Sequence, residues 1–227
     1  MNPENIFIIV PSFNEAQVIE STLTPLIERG YSLVVVDDCS TDNTRNILRS
    51  LPVHYLRHEL NLGQGAALQT GFEYALEQGA EYVVTFDADG QHNFEEIPDL
   101  LEPIFKGRAD ITMGSRFKGK IDVNHIPAFR KLIIKGAILI DRLFTGLQLT
   151  DSHNGFRAMN KEALSKIKLR ENKMAHASEI IWLIKQNKIR YEEVPVKVTY
   201  SDYSKMKGQS SMNSINILID LILKKIF

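Results

Sequence analysis

Short apolar runs alternate with segments of helical spacing along most of the chain. Ile6 to Val10 is a buried-strand run, Ala16 to Arg29 carries a helical pattern, and Leu33 to Val36 is a second strand of mostly β-branched residues. The alternation continues with Thr41 to Arg49 helical, Val53 to Arg57 extended, Gly65 to Gln78 helical and Tyr82 to Phe86 extended. Pro98 to Lys106 is a short helix and Ile111 to Ser115 another strand. Strands that alternate with helices must cross over to return, so the pattern predicts βαβ units on a mostly parallel central sheet flanked by helices, an α/β fold. The later half reads as more helical, at Arg130 to Phe144, Lys161 to Ile167 and Glu179 to Gln186. An isolated strand, Glu193 to Thr199, and an apolar helix from about Ile215 complete the pass. No repeat, low-complexity tract or Pro/Ser/Gly-rich linker interrupts it, so residues 1–227 read as one domain. Within it, 1–115 and 116–213 form two halves and 214–227 an apolar C-terminal helix.

Composition narrows the class. A length of 227 residues with 44% hydrophobic and 24% charged residues suits a soluble globular domain with an ample core. One cysteine, Cys39, excludes an internal disulfide and a cysteine-based zinc cluster, so a reducing cytoplasm is the expected compartment. Met1-Asn2-Pro3-Glu4 has no basic region before its short apolar run, which argues against a signal peptide, and no apolar stretch reaches the roughly 18 residues of a membrane span. The net charge of -1 suggests no nucleic-acid partner, yet it conceals a split. Residues 1–115 hold 18 acids and 6 bases, whereas residues 116–227 hold 10 acids and 21 bases. Opposite charge in the two halves points to two different kinds of partner.

Ligands of open α/β sheets bind beyond the carboxyl ends of the strands, so the polar clusters there are the candidates. The first strand runs into Pro11-Ser12-Phe13-Asn14-Glu15, where Ser12-x-x-Glu15 also has the spacing of a capping box. The second runs into Asp37-Asp38-Cys39-Ser40-Thr41-Asp42; adjacent carboxylates repel unless a ligand or donor compensates them, and a nucleotide's base or ribose hydroxyl is one such partner. Asn61-Leu62-Gly63-Gln64-Gly65 opens a helix, but Leu68 stands where G-x-G-x-x-G needs its last glycine, and no P-loop is present. The sharpest signal is Phe86-Asp87-Ala88-Asp89-Gly90-Gln91-His92 after the strand Tyr82-Val83-Val84-Thr85. Two carboxylates one residue apart can converge on a hard cation such as Mg²⁺ or Mn²⁺, with Gln91 adding a carbonyl oxygen; the same residues also make an ordinary Asp-Gly turn. Arg116, Arg130 and Arg157 carry planar forks suited to phosphate.

Taken together these segments resemble the family-2 glycosyltransferases of GT-A fold, over nearly the whole chain from Val10 to about Ile217. The ordered set carries the resemblance: Val10-Pro11-x-Phe13-Asn14-Glu15, Val36-Asp37-Asp38-x-Ser40-x-Asp42-x-Thr44, Asp87-x-Asp89-Gly90-Gln91, Gly114-Ser115-Arg116, Asp151-x-x-x-Gly155-Phe156-Arg157 and Glu179. The subgroup it is most similar to is the dolichol- or polyprenyl-phosphate hexose synthases. Two departures stand out: Ile134 and Ile138 occupy positions where similar synthases carry serine and asparagine, and the arginine-containing loop before the Gly-x-Ser-Lys segment is here Ser201-Asp202-Tyr203-Ser204-Lys205.

The resemblance implies roles. Pro11, Asn14, Glu15 and Asp38 would line the base and ribose of a UDP- or GDP-linked sugar, with Asp37, Gly65, Asp87 and Ala88 also on the nucleotide-sugar side. Asp87, Asp89 and Gln91 would hold Mg²⁺ or Mn²⁺; Arg116 and Arg130 would hold the phosphate of a polyprenyl phosphate acceptor; Lys205 or Lys207 would reach the diphosphate. Asp89, Arg116, Arg130, Asp151, Arg157 and Glu179 form the implied catalytic set. The implied reaction is an inverting hexosyl transfer. A lipid phosphate is already anionic and needs orientation, whereas an alcohol acceptor would need Asp151 or Glu179 as general base. The alternatives are transfer to a saccharide hydroxyl in cell-surface polysaccharide synthesis and a non-catalytic nucleotide-sugar binding module. The apolar, lysine-ended tail from Ile215 to Phe227, with Phe117-Lys118-x-Lys120 and the Arg130–Lys135 segment, suits a membrane surface or a small membrane subunit, and hence a peripheral place on the inner face of the cell membrane.

Overall fold

The computed structural model describes residues 5–118, 136, 138, 142, 143 and 145–199. Their seven strands are β1 (Ile6–Ser12), β2 (Ser32–Asp37), β3 (His54–Arg57), β4 (Tyr82–Thr85), β5 (Ile111–Ser115), β6 (Arg157–Asn160) and β7 (Tyr191–Pro195). They lie in one sheet in the order β3-β2-β1-β4-β6-β5-β7. All neighbouring pairs are parallel except those of β6, which runs antiparallel to both β4 and β5. The helices are α1 (Ile19–Glu28), α2 (Thr44–Ser50), α3 (Gln64–Glu77), α4 (Ile97–Phe105), α5 (Lys161–Lys166) and α6 (His176–Gln186).

Alternation along the strands divides the core into two layers, one on each face of the sheet. Phe7, Ile9, Val34 and Val36 face one layer with Ala67, Leu68 and Phe72 of α3, Leu164 of α5 and Ile180 of α6. Ile6, Ile8, Val10, Leu33 and Val35 face the other with Leu23 of α1, Leu48 of α2 and Leu100 of α4. Burial on both faces is why these strands read as continuous apolar runs in the sequence. Pro11 is tolerated in central β1 because the pairing with β4 has ended at Ile9; Pro11 is opposite only Val36.

Two expectations change. No strand was expected at Arg157–Asn160, and β6 fills the gap between β4 and β5. The strand expected at 193–199 begins at Tyr191 and is not isolated: it pairs in parallel with β5, Tyr191 opposite Ile111 and Pro195 opposite Ser115. The expected helix over 130–144 falls largely outside the described residues, and the C-terminal helix falls wholly outside them. No helix among the described residues is long and apolar enough to cross a membrane.

Candidate functional site

The carboxyl ends of β1, β2, β4 and β5 lie on one edge of the sheet, and antiparallel β6 starts at that same edge. Topology therefore brings Arg157, the first residue of β6, to where Asp37, Asp87 and Arg116 emerge. Asn14 takes a left-handed conformation (φ 55°) after β1, a conformation asparagine tolerates better than most residues. Its Oδ1 accepts the Thr41 N–H at 2.8 Å, and its own N–H donates to Ser40 Oγ at 2.9 Å. The Glu15 and Ala16 N–H groups donate to Thr44 Oγ1 (2.8 Å) and Asp42 Oδ2 (3.1 Å). These bonds lace the loops after β1 and β2 together. The capping-box reading of Ser12 does not hold, because Ser12 belongs to β1 and α1 starts only at Ile19.

The repulsion expected between Asp37 and Asp38 is compensated by the protein itself. Asp37, fully buried, accepts from Tyr55 Oη (2.9 Å), from the Ser40 N–H (2.8 Å) and from Arg57 Nη1. Asp38 accepts the N–H groups of Leu62 (2.9 Å) and Gly63 (2.7 Å) and pairs with His58 Nδ1 (2.7 Å). At 0% and 3% exposure, both carboxylates act here as braces for the loops around the site. Gly65 is likewise a packing position: a Cβ there would lie 2.0 Å from the Glu171 carbonyl oxygen. Ala88 is buried in the apolar layer with α1 and α4.

Asp87 and Asp89 leave the end of β4 together. Gln64 Nε2 donates to Asp87 Oδ1 at 2.9 Å, and His92 Nε2 meets Asp87 Oδ2 at 3.0 Å. Gly155 makes room for this carboxylate, since a Cβ on it would lie 2.5 Å from Oδ2. Burial raises the Asp87 pKa, but the His92 hydrogen bond and the charges of His92 and Arg157 outweigh burial and leave it below the ordinary value. Asp89 goes the other way, pushed up to about 6 by burial first and then by the Asp87 charge, with Glu15 adding to it. Gln91 donates to Asp89 twice, from its N–H at 3.0 Å and its Nε2 at 2.6 Å. Gln91 is thus a clamp on Asp89 in this structure, with its amide nitrogen on the carboxylate. Among the described residues, no group of three His, Cys, Asp or Glu side chains is arranged to hold a metal.

Arg157 is 1% exposed; among the described residues its Nε and Nη1 have no partner and its Nη2 has only a long contact to the Ser152 carbonyl at 3.5 Å. Burial lowers its pKa to about 10 against the pull of Asp87 and Asp151. His176, also buried, is held to about 4 by burial and by the Arg157 charge, so it is neutral at pH 7. Arg116 and Asp151 are brought together in a way the sequence did not suggest. Arg116 Nε and Nη2 each donate to the Asp151 carboxylate at 2.7 Å, and the Arg116 N–H adds a third bond at 3.0 Å. Glu193, buried in β7, accepts the N–H groups of Thr150 (2.8 Å) and Asp151 (3.0 Å) and supports the pair from behind. The expectation of Asp151 as a base meets a geometric objection: both of its oxygens are taken up by a bidentate arginine in a buried pair, leaving them turned away from an incoming hydroxyl. Glu179 is also engaged, accepting the N–H groups of Arg170 (3.0 Å) and Glu171 (2.9 Å).

Arg130, Lys205 and Lys207 lie outside the described residues. Gln64, His92, Gly155 and Glu193 were not among the expected site residues. Gln64, His92 and Gly155 lie within the motifs at the strand ends, but their spacing from Asp87 along the chain carries no sign of contact.

Residues 7–168 match the family described as Glycosyl transferase family 2. The UDP-N-acetylglucosamine–dolichyl-phosphate N-acetylglucosaminyltransferase of Methanococcus voltae is 33% identical over 97% of this chain and 96% of its own length. The dolichol-phosphate mannosyltransferase of Pyrococcus furiosus is 32% identical over 90% of this chain, which spans 60% of that protein. Among solved structures, glucosyl-3-phosphoglycerate synthase of Mycobacterium tuberculosis with Mn²⁺, UDP and phosphoglyceric acid superposes with a TM-score of 0.67 at 17% identity. That match covers 95% of this chain and 78% of that one, a likeness of fold. With its ordered motifs assembled at one edge of the sheet, the chain belongs to glycosyltransferase family 2 and is a hexosyltransferase of GT-A fold.

Proposed function

We propose that this protein transfers a hexose from a nucleoside-diphosphate sugar to a polyprenyl phosphate, with inversion, as a peripheral protein on the cytoplasmic face of a membrane. The observation that carries the acceptor class is the state of the two candidate bases. Asp151 holds Arg116 in a bidentate pair and Glu179 holds two backbone N–H groups. A saccharide hydroxyl must lose its proton to such a base as it attacks, whereas a phosphate monoester oxygen is anionic already. The names of the archaeal relatives, both acting on dolichyl phosphate, support the same class.

The donor set at β4 fits a divalent cation. Two carboxylates one residue apart in the loop after β4, one with its pKa raised to about 6 by burial and by the other's charge, form a site short of positive charge. Asp87 and Asp89 would hold Mg²⁺ or Mn²⁺, with the Gln91 carbonyl as a further oxygen; the cation, when bound, neutralises charge on the departing diphosphate. The chain's own residues do the rest. The laced loops bearing Pro11, Asn14 and Glu15 bind the nucleoside, and buried Arg157 adds a fixed positive field beside Asp87. Arg116, oriented by Asp151, and Arg130 orient the acceptor phosphate, while Lys205 or Lys207 reaches the diphosphate of the donor. The acceptor phosphate's oxygen attacks the anomeric carbon as the bond to the nucleoside diphosphate breaks.

The test is incubation of the full chain with a panel of UDP- and GDP-sugars, Mn²⁺ or Mg²⁺, and undecaprenyl phosphate. Glycolipid from one donor is the expected result. No glycolipid from any donor, together with transfer to a free saccharide, would overturn the acceptor assignment. Donor binding without transfer to either acceptor would favour a binding module.

A further inference from the structure

His92 is built into its place more firmly than a turn residue needs to be. Its side chain is 4% exposed, with the ring stacked on Phe156 (centroids 4.8 Å apart, planes at 22°) and edge-on to Phe86 (5.5 Å, 71°). Its backbone forms an antiparallel bridge with Val198, and next to it the Gln91 carbonyl accepts the Thr199 N–H at 2.9 Å. The aromatic slot offers nothing to Nδ1, which is buried without a partner among the described residues, a disfavoured state for an imidazole nitrogen. The ring's hydrogen bond among these residues is from Nε2 to Asp87 Oδ2 at 3.0 Å. Facing a carboxylate, Nε2 must carry the proton. Gln64 holds the other oxygen from α3. A carboxylate gripped on both oxygens by donors fixed in separate segments has a single orientation, and Gly155, with no Cβ, admits it there.

We infer that His92 is a positioning residue for the metal site: it does not ligate, but its Nε2–H holds the Asp87 carboxylate in the orientation in which it shares a cation with Asp89. This rests on the reading of Asp87 and Asp89 as metal ligands given above. Partners that orient metal ligands typically contribute 10- to 100-fold in affinity. The contribution should appear in metal binding, with the chemistry at saturating metal nearly untouched.

The experiment titrates the full-length protein with Mn²⁺ in the presence of UDP, reading free Mn²⁺ by electron paramagnetic resonance, and measures Tm alongside. His92→Phe keeps the stacking and removes the donor; it should weaken Mn²⁺ binding roughly 10- to 100-fold and raise the KM for Mn²⁺ in turnover by the same factor, with kcat at saturating Mn²⁺ little changed. His92→Gln returns an N–H donor of similar reach and should recover most of the affinity. Should His92→Phe fail to fold, His92→Met makes the same comparison. Wild-type Mn²⁺ affinity in a folded donorless variant would overturn the inference, as would a Gln variant no better than the donorless one. Asp87→Asn separates the two levels: if it binds Mn²⁺ as tightly as the wild type, the metal assignment itself falls.

Discussion

Gly155→Ala tests how tightly the Asp87 carboxylate is placed. A Cβ at Gly155 would stand 2.5 Å from Asp87 Oδ2 and 3.1 Å from its Cγ and Oδ1, whereas ordinary contact begins near 3.4 Å. Relieving the overlap requires the carboxylate to move by about 0.9 Å, the difference of those two distances. Gln64 and His92 hold both of its oxygens, so the shift must also stretch or break one of their hydrogen bonds. Overpacking of this kind costs about 1–3 kcal/mol, partly offset by the roughly 0.4–1 kcal/mol that Ala gains over Gly through the unfolded chain. Stability should therefore fall by no more than about 2.6 kcal/mol, which at this chain length lowers Tm by at most roughly 5–10 °C. The functional effect should be larger, because a misplacement near 1 Å in a reacting assembly can cost about 10²-fold. Steady-state glycolipid synthesis at several Mn²⁺ concentrations, with differential scanning fluorimetry, reads both. Wild-type turnover and Mn²⁺ dependence in a folded Gly155→Ala protein would refute the claim that Asp87 must sit where the glycine admits it.

Arg116→Ala leaves Asp151, fully buried, without its bidentate partner and should cost about 3–5 kcal/mol, whereas Arg116→Met/Asp151→Leu should recover much of the loss; equal Tm values for single and double variants would sink the coupling. Glu179→Gln should leave kcat within about threefold while lowering Tm by a few degrees, since its carboxylate braces residues 170–171; a loss of about 10² or more with intact folding would restore it as a general base. The Asp89 pKa, raised to about 6 from 3.8, means that the folded state binds this proton more tightly than the unfolded chain does. The carboxyl therefore favours folding below about pH 4, and that contribution is lost as pH rises through 6; a divalent cation should relieve the strain only above that window. The Tm increase caused by Mn²⁺ should thus be larger at pH 7.5 than at pH 5, and equal increases would contradict the assignment.

Much of the fold could be read along the chain because it is local. Residues such as Ile6 to Val10 and Leu33 to Val36 are apolar on both faces, as strands covered by helices on two sides must be, and the intervening periodicity marked α1 to α4 within a few residues. The motif order from Pro11 to Arg157 likewise identified the family and the edge of the sheet where chemistry belongs. Strand β6 escaped because Arg157-Ala158-Met159-Asn160 is short and begins with an arginine; it is a strand only because β4 and β5 leave a slot between them. The same distinction governs the site. Which carboxylates and cations this protein has, and at which strand ends they stand, is legible along the chain. Which of them are occupied is set by packing: Asp37 with Arg57, Asp38 with the 62–63 N–H groups, Arg116 with Asp151, and Asp87 with Gln64 and His92. Hydrogen bonds and ion pairs depend on distances of about 3 Å between residues that, in the Arg116–Asp151 pair, stand 35 positions apart, and chain packing alone sets those distances.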